Sequence, residues 1–269
     1  TMVRVGVLGV GTISRCVLEG VCKAFLAGQR AEGVEEKIYI SARSSANASA
    51  LAEGYPNNIE IKTNEEIVSL CDWVVVSVRP EQVEELCKTL SFREEQIILN
   101  FVSACLTEEK AKEVFSPVKR IVRISPWPCS KNRLGPVLVL NSSGEDLENF
   151  LSLFGDVVKV DTMDQFISMQ SGSCFMAPFY QALESITTWL ESENIEREKA
   201  SLFVGSLVNA FAVDAKLQGG NGFAKITEES QTPGGMNAQA LEKLQSAGAF
   251  DALQGALTSL VERVKNKQV

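Results

Sequence analysis

The sequence predicts an α/β fold in which a doubly wound parallel sheet, covered by helices on both faces, is followed by an all-helical domain. Three observations predict it. β-branched runs typical of buried strands alternate with helical patterns over roughly the first 160 residues. A turn containing two glycines connects the first strand to the first helix, and from Asp164 onward only helical patterns occur. We therefore place the two domains at residues 1–160 and 161–269.

Seven strands are predicted in the first domain, at residues 3–9, 37–42, 59–62, 73–78, 97–102, 120–124 and 137–140. Helices are predicted from the first glycine turn to about Gly28, and over residues 46–54, 64–71 and 81–90. Pro80 ends the most continuous β-branched run of the chain. Strands and helices that alternate in this way build a parallel sheet.

The second domain is predicted to consist of helices at residues 165–193, 196–217 and 236–265, with a loop over residues 219–235. The first two helices carry apolar residues on more than one face: Phe175, Met176, Phe179, Tyr180, Leu183, Trp189, Leu202, Phe203, Val204, Leu207, Val208 and Phe211. A domain of this size cannot bury so many alone. We expect an intimate helical homodimer.

Composition favours a small molecule as the partner. The 269 residues are 45% hydrophobic and 22% charged, with a net charge of -8 and no basic run, which argues against nucleic acid and anionic membranes. The seven cysteines are scattered without a Cys-x-x-Cys pair, as expected for reduced thiols in a cytoplasmic protein. We find no apolar stretch of transmembrane length, and the N-terminal apolar run is interpreted as a strand rather than a signal peptide.

The chain contains no histidine. This excludes an imidazole base, a histidine-containing triad and a histidine metal site, and no metal is predicted.

Gly9 and Gly11 lie in the turn between the first strand and the first helix, the context that makes a glycine pattern typical of a Rossmann-like dinucleotide site. The backbone N–H groups of Thr12 and Ile13 would contact the pyrophosphate. Ser14 occupies the third glycine position, where a small residue still permits close helix–strand packing. The alternative is a plain strand–helix turn.

The second strand ends in Ser41-Ala42-Arg43-Ser44-Ser45, where an NAD site would place an acidic residue for the ribose. Arg43 and Ser44 suit a 2'-phosphate, so we favour NADP(H), with NAD(H) possible. The alternative is that Arg43 is a solvated surface residue.

Two further segments end strands at the carboxyl edge of the sheet, where such sheets bind ligands. Val78-Arg79-Pro80 would direct the chain across the cofactor, or Pro80 simply terminates a strand. In the segment from Arg123 to Pro128, Trp127 walls the nicotinamide pocket or packs between domains, and we favour packing.

Two neighbouring features of the second domain are candidates for contact with a ligand or for chemistry. Gly172, between Ser171 and Ser173, permits close approach of a ligand or of a neighbouring helix. Cys174 has no histidine or lysine beside it in sequence, so a nucleophilic role is unsupported.

Thr232-Pro233-Gly234-Gly235-Met236-Asn237 precedes a helical pattern and predicts a helix start that holds an anion. Pro233 restricts the backbone, and the glycines let it approach a ligand closely. A small carboxylate would bind there, unless the segment is an ordinary loop and N-cap.

These motifs, in this order, resemble the pyrroline-5-carboxylate reductase family over nearly the whole chain. The segments that carry the resemblance are Gly6 to Gly11, Asn64-Glu65-Glu66, Val78-Arg79-Pro80, Arg123 to Pro126, Ser171-Gly172-Ser173 and Thr232 to Gly235. The resemblance implies an oxidoreductase of proline biosynthesis that binds NADPH on its first domain. It also implies a domain-swapped dimer or larger ring in which the partner's Pro-Gly-Gly segment closes the site. By this resemblance Asn64 contacts the adenosine ribose or its phosphate.

On the same basis Gly234, Gly235, Met236 and Asn237 bind substrate, and Asn237 and Ser173 are the candidate catalytic residues. The chain departs from the family pattern beside these positions. Relatives have Asn-Thr-Pro where Trp127-Pro128-Cys129 stands, Gly-Pro-Ala where Cys174-Phe175-Met176 stands, and often a threonine at position 237.

The predicted reaction is NADPH-dependent reduction of a cyclic imine carboxylate. An imine nitrogen with a pKa near neutrality arrives partly protonated, so hydride transfer needs little acid catalysis and no histidine. Alternatives are a reductase of another imine, a dinucleotide-binding relative that acts as a sensor or interaction module, and a lysine-based β-hydroxyacid dehydrogenase using Lys225 or Lys243.

Overall fold

The structure, a computed structural model, describes residues 2–42, 45–102, 106–140, 144–218 and 222–266. The strands are β1 (Val3–Leu8), β2 (Val34–Ser41), β3 (Ile59–Lys62), β4 (Trp73–Val76), β5 (Ile97–Asn100), β6 (Arg120–Ser125), β7 (Pro136–Leu140) and β8 (Asp156–Val160). The helices are α1 (Thr12–Leu26), α2 (Ser45–Gly54), α3 (Asn64–Leu70), α4 (Pro80–Cys87), α5 (Glu108–Val114), α6 (Glu145–Ser152), α7 (Met163–Gly172), α8 (Met176–Ser192), α9 (Arg197–Gln218), α10 (Ala224–Glu229), α11 (Met236–Ser246) and α12 (Ala249–Lys265).

The eight strands form one sheet in the order β3-β2-β1-β4-β5-β6-β7-β8. All neighbours are parallel except β6 and β7, which pair antiparallel. The predicted α/β fold with a Rossmann-like doubly wound sheet is confirmed, but the expectation of a wholly parallel sheet is wrong at this pair. Residues 126–135 connect β6 to β7 through a short 3-10 helix, and a connection of this length does not make a parallel crossover.

The strand β8 was not predicted from the sequence. Its residues Asp156, Val157, Val158 and Lys159 are exposed or only partly buried, and Val160 alone is buried. An edge strand of this kind has a weak hydrophobic pattern, so its pairing with β7 decides its structure.

Apolar side chains pack on both faces of the sheet. On one face Val5, Val7, Val75 and Leu99 pack with α1, α2 and α6. On the other, Leu8, Val76 and Ile98 pack with α3, α4 and α5. Strands buried on both faces have the near-continuous apolar runs from which they were predicted.

A third cluster covers β7 and β8. Leu138, Leu140 and Val160 pack with Phe166 and Ile167 of α7, and the end of α12 joins them through Val261 and Val264. One compact unit therefore runs to Gln170 and takes in the chain again from Val261, and a second unit spans Ser171–Leu260. The division by contacts thus differs from the boundary between residues 160 and 161, which was placed where predicted strands give way to helices only.

The second unit is helical, and α9 has its predicted length, but the other two predicted helices are each divided. The predicted helix 165–193 is divided into α7 and α8 by a 3-10 turn at Ser173–Phe175. The predicted helix 236–265 ends at Ser246 and resumes at Ala249, because Gly248 adopts a left-handed backbone with φ +70°. The predicted loop 219–235 contains α10.

The helix α9 is long and apolar enough to cross a bilayer, judged by length and composition alone. The expectation that no stretch reaches that length is therefore wrong. Only 11% of its most apolar 18-residue window is buried within the single chain. Its exposed side chains include Leu202, Phe203, Leu207 and Phe211. An apolar surface of this kind is normally covered, either by lipid or by another protein chain.

Candidate functional site

Gly9 directly follows β1 and has a left-handed backbone that favours glycine, with φ +94°. A Cβ atom at this position would lie 2.5 Å from the Ser77 carbonyl oxygen and 2.8 Å from Val78 Cγ1. The loops that follow β1 and β4 therefore touch at Gly9. The structure brings Gly9 and Val78, two of the residues assigned to the cofactor, into contact at the carboxyl edge of the sheet.

The helix α1 begins at Thr12 after the N-cap Gly11, with no side chain capping its first turn and no acidic residue in that turn. Because the first helical bond runs from Arg15 N–H to the Gly11 carbonyl, the N–H groups of Thr12 and Ile13 have no partner within the helix. A Cβ atom on Gly11 would find no atom within 4 Å. An open, uncapped helix start of this kind suits an anionic group, and the assignment of Gly11, Thr12 and Ile13 to the pyrophosphate stays a prediction.

Ser14 occupies the position of the third glycine and is buried. Its hydroxyl donates to the Gly9 carbonyl oxygen at 2.7 Å and thereby ties the helix to the turn. The serine therefore preserves the close helix–strand packing that glycine usually provides.

Ser41, at the end of β2, binds the glycine turn through its side chain. Its Oγ accepts a hydrogen bond of 2.9 Å from the Gly9 N–H, and the residue is 2% exposed. This bond commits the Ser41 hydroxyl to the glycine turn. Arg43 and Ser44 lie outside the described residues, so their assignment to the phosphate stays a prediction.

Asn64 is the first residue of α3, directly after β3. With Ala42, Lys62 and Thr63 it lines an open depression beside the end of β2. In a sheet of this order, that is the side on which the adenosine half of a dinucleotide lies. Thr63 and Glu66 form a capping box at this helix start, so their side chains are already engaged there.

Arg79 and Pro80 open α4, as N-cap and first helical residue. The strand β4 ends at Val76, two residues earlier than predicted, so Val78 belongs to the connecting turn. Pro80 starts the helix, since its fixed φ suits the first helical position. Arg79 is exposed.

Arg123 lies in one of the segments that carry the family resemblance, but the sequence predicted no role for its side chain. It lies on β6, is 4% exposed, and donates to the carbonyl oxygens of Val102 at 3.3 Å and of Leu106. Asn100 Oδ1, on the neighbouring strand, accepts from the Val102 N–H at 3.0 Å. These two side chains hold the segment after β5, which borders the carboxyl edge of the sheet. Asn100 and Arg123 lie opposite each other on neighbouring strands. Their spacing in the sequence does not reveal this arrangement.

Trp127 is half-buried and packs against the cluster over β7, β8 and α7. That cluster combines strands of the predicted first domain with Phe166 and Ile167 from beyond residue 160, so Trp127 packs where the two predicted domains meet, as favoured; by contacts all of these residues belong to the first compact unit. Nearby, Gln170 Nε2 donates to Ser125 Oγ at 3.2 Å.

The segment Thr232 to Gly235 forms a type II turn. The Gly235 N–H donates to the Thr232 carbonyl oxygen at 2.7 Å, Pro233 occupies the second position, and Gly234 has φ +72°. Gly235 then caps α11 without any side-chain hydrogen bond or acidic residue in the first turn. The predicted helix start with free N–H groups is present in the structure.

The candidate substrate residues lie at this helix start. Met236 is 88% exposed, and Asn237 Nδ2 donates to the Ser230 carbonyl oxygen at 3.0 Å. This bond orients the Asn237 amide and uses one of its two N–H groups, so the Oδ1 atom and the second N–H can still bond to another group. Ser173 begins the 3-10 turn before α8 and is partly exposed.

Buried thiols are not candidates for chemistry. Desolvation raises the pKa of Cys22, Cys71 and Cys87 to about 12, so these thiols stay protonated and unreactive at neutral pH. Within the described residues no group of three or more histidine, cysteine, aspartate or glutamate side chains is placed to hold a metal ion.

Comparison with known proteins covers both halves of the chain. Residues 4–103 match the family model described as NADP oxidoreductase, coenzyme F420-dependent. Residues 161–267 match the model of the pyrroline-5-carboxylate reductase dimerisation domain. The pyrroline-5-carboxylate reductase of Arabidopsis thaliana is 24% identical over 270 residues, which cover 97% of this chain and 94% of that protein. The chain belongs to the pyrroline-5-carboxylate reductase family.

Solved structures share the fold of this chain. The structure of a pyrroline-5-carboxylate reductase from Coxiella burnetii has a TM-score of 0.84 at 21% identity, and 100% of each chain is covered. The crystal structure of the Plasmodium falciparum enzyme with NADP bound has a TM-score of 0.79 at 16% identity, again over 100% of each chain. The family consists of NAD(P)-dependent oxidoreductases, and the resemblance stated from the sequence is confirmed.

Membership also bears on the apolar surface of α9. This helix lies inside the segment matched by the pyrroline-5-carboxylate reductase dimerisation model, so its exposed apolar side chains belong to a domain of the type that associates with a second subunit. A homo-oligomer is the assembly that this match supports.

Proposed function

We propose that this chain reduces pyrroline-5-carboxylate to proline with NADPH, by hydride transfer to the iminium carbon. The observation that carries the proposal is the type II turn Thr232 to Gly235, which opens α11 with uncapped N–H groups in a chain whose first unit has an open dinucleotide turn. One site suits the pyrophosphate of a cofactor and the other suits a small carboxylate. Localisation in the cytoplasm belongs to the same proposal.

The residues of the first unit would bind and orient the cofactor. Thr12 and Ile13 present backbone N–H groups to the pyrophosphate, and Gly11 leaves the space that this group needs. Val78, Arg79 and Pro80 would border its path along the sheet edge, with Asn64, Arg43 and Ser44 on the adenosine side. NADPH supplies the hydride.

The residues of the second unit would hold the substrate. The N–H groups after Gly234 and Gly235 bind the carboxylate, while the amide of Asn237, oriented by Ser230, donates to the substrate ring. Ser173 is the second candidate for contact with the reacting group. No proton relay is needed, since the substrate nitrogen is already partly protonated at neutral pH. The site is completed by a partner subunit in a domain-swapped dimer or larger ring.

The test is steady-state oxidation of NADPH with pyrroline-5-carboxylate, compared with a six-membered cyclic imine carboxylate and with an open-chain 2-oxo acid plus ammonia. We expect the five-membered ring to give the highest kcat/KM, and NADPH to be preferred over NADH. Tight NADPH binding with no turnover of any imine would instead support a non-catalytic, cofactor-binding relative. Preference for the six-membered ring would overturn the substrate but retain the reaction.

The role of Asn237 is tested separately with Asn237→Asp, which keeps the shape but replaces the amide donor by a negative charge. We expect KM for the imine to rise by roughly tenfold or more at unchanged NADPH affinity, because a carboxylate beside the bound carboxylate is repulsive. Unchanged turnover in Asn237→Ala would remove this residue from the site.

A further inference from the structure

A cavity of about 220 Å³ lies beside α5 and over β6. It extends from Lys119, just before β6 begins, to Arg123 near the end of that strand. Its volume is below the ~300–1,000 Å³ of pockets for drug-sized ligands. Among the residues that the structure describes, none of those lining the cavity belongs to the Gly9 turn or to the segment from Val78 to Pro80, which the proposed cofactor path follows.

The cavity is positively charged in an acidic protein. Among its lining side chains are the cations of Lys112, Lys119 and Arg123 and the single carboxylate of Glu108. Lys119 also pairs with Glu94. The chain as a whole carries a net charge of -8, so a cluster of three cations with two carboxylates, Glu108 and Glu94, is a local excess of positive charge.

An unsatisfied donor lines the same cavity. Asn100 is fully buried at 0% exposure, and its Oδ1 accepts the Val102 N–H. Its Nδ2 is buried without a hydrogen-bond partner. Exchanging the two amide atoms would remove the bond to Val102, so the N–H donors are the atoms left for a ligand. Buried donors are normally satisfied, which indicates an acceptor that occupies this cavity.

We propose that this cavity is a binding site for a small oxyanion, either phosphate or a short-chain carboxylate. Asn100 Nδ2 donates to an oxygen of the anion at the inner end, and Lys112 contributes charge from the exposed face of α5. Since Asn100 and Arg123 also hold the segment after β5, the bound anion rests on the side chains that support the edge of the sheet.

The experiment measures binding of inorganic phosphate by equilibrium dialysis to the full chain saturated with NADP⁺, and again without nucleotide. Saturating nucleotide fills the phosphate positions of the dinucleotide site, and the arm without nucleotide is independent of the proposed function. We expect saturable binding of one phosphate per chain in excess of that site. Malonate replaces phosphate in a parallel arm to rank phosphate against carboxylate.

The decisive variant is Lys112→Glu, a change at an exposed position that leaves the core intact. It should weaken phosphate binding by roughly tenfold or more. The matched control is Lys110→Glu on the same helix, since Lys110 pairs with Glu113 at 3.1 Å and Glu84 at 3.5 Å and does not line the cavity. This control should leave binding within about twofold.

Three results would overturn the proposal. No saturable binding would mean that the cavity holds only water. Equal weakening by both lysine variants, or displacement of phosphate by chloride at the same ionic strength, would indicate diffuse attraction to the surface. Binding that disappears when NADP⁺ is saturating would place the phosphate in the dinucleotide site instead.

Discussion

Gly9 and Gly11 lie in the same turn, but Gly9 is required by the backbone conformation and its close neighbours, whereas Gly11 has open space around it. At Gly9, a Cβ atom would lie 2.5 Å from a backbone oxygen, and φ is +94°. Gly9→Ala should lower the free energy of unfolding by about 2 kcal/mol or more, through strain and a clash that cannot relax cheaply. Urea unfolding of the apoprotein measures it.

Gly11→Ala is the matched change, since this residue has φ -80° and open space around its Cβ position. Its free energy of unfolding should stay within about 0.5 kcal/mol of the parent. Its Kd for NADPH should rise by roughly tenfold or more, because the methyl group occupies the approach of the pyrophosphate. Unchanged NADPH affinity would mean that the cofactor does not contact this turn.

Arg123 is the residue whose role the sequence analysis missed, and its burial predicts a large effect of truncation. Arg123→Met leaves the carbonyl oxygens of Val102 and Leu106 without their donor. We expect a loss of about 2–3 kcal/mol in unfolding free energy. Arg123→Lys should recover only part of it, because one ammonium cannot reproduce the fork of the guanidinium. Full recovery by lysine would show that charge alone matters.

At the scale of elements, three cysteines report on the helices that pack on the sheet. Cys22 lies on α1, Cys71 caps α3 and Cys87 ends α4, and burial raises the pKa of each to about 12 from 9.0. Below pH 9 the thiols are protonated in both folded and unfolded chains. Between pH 9 and 12 the unfolded chain binds fewer protons, so stability must fall as pH rises.

The expected fall is up to about 1.4 kcal/mol per pH unit for each thiol. Denaturant unfolding at a series of pH values above 8 measures the slope. Cys87→Ala is the control, since it should flatten the slope by the share of one thiol. An identical slope in this variant would show that other groups dominate the alkaline loss.

The turn Thr232 to Gly235 is the element on which substrate binding depends in our proposal. Gly234→Ala strains a residue with φ +72° and should distort the start of α11 at a cost of about 1 kcal/mol. KM for pyrroline-5-carboxylate should rise while the NADPH Kd stays unchanged, because the dinucleotide turn belongs to the other unit. Equal loss of both affinities would argue that the turn supports folding generally.

At the scale of the whole molecule, the exposed apolar face of α9 predicts how subunits associate. Phe203 is 59% exposed in the single chain. Phe203→Glu should convert the oligomer to monomer in sedimentation analysis, because a charge at a buried interface is costly. Lys199→Glu on the same helix, at an exposed ion pair with Glu196, should leave assembly unchanged. A monomeric parent protein would contradict the expected dimer.

Strands and helices with a strong local hydrophobic pattern were predicted from the sequence, and those with a weak pattern were not. Strand β3 was predicted with its observed bounds, and the strands buried on both faces were found because their apolar runs are continuous. The helices after residue 160 were merged in two places, because Gly248 and the turn at Ser173 interrupt the backbone without interrupting the hydrophobic pattern. The α10 helix of six residues was too short to show a period.

The candidate site divides in the same way. The glycine turn of residues 9–11 and the turn of residues 232–235 are local devices, in which glycine and proline alone dictate the backbone, so the sequence by itself determined them. Tertiary structure alone decided that Ser41 holds Gly9, that Arg123 and Asn100 support the segment after β5, and that β7 runs antiparallel. These contacts join residues distant in sequence, and only packing of the strands side by side brings their donors and acceptors within reach.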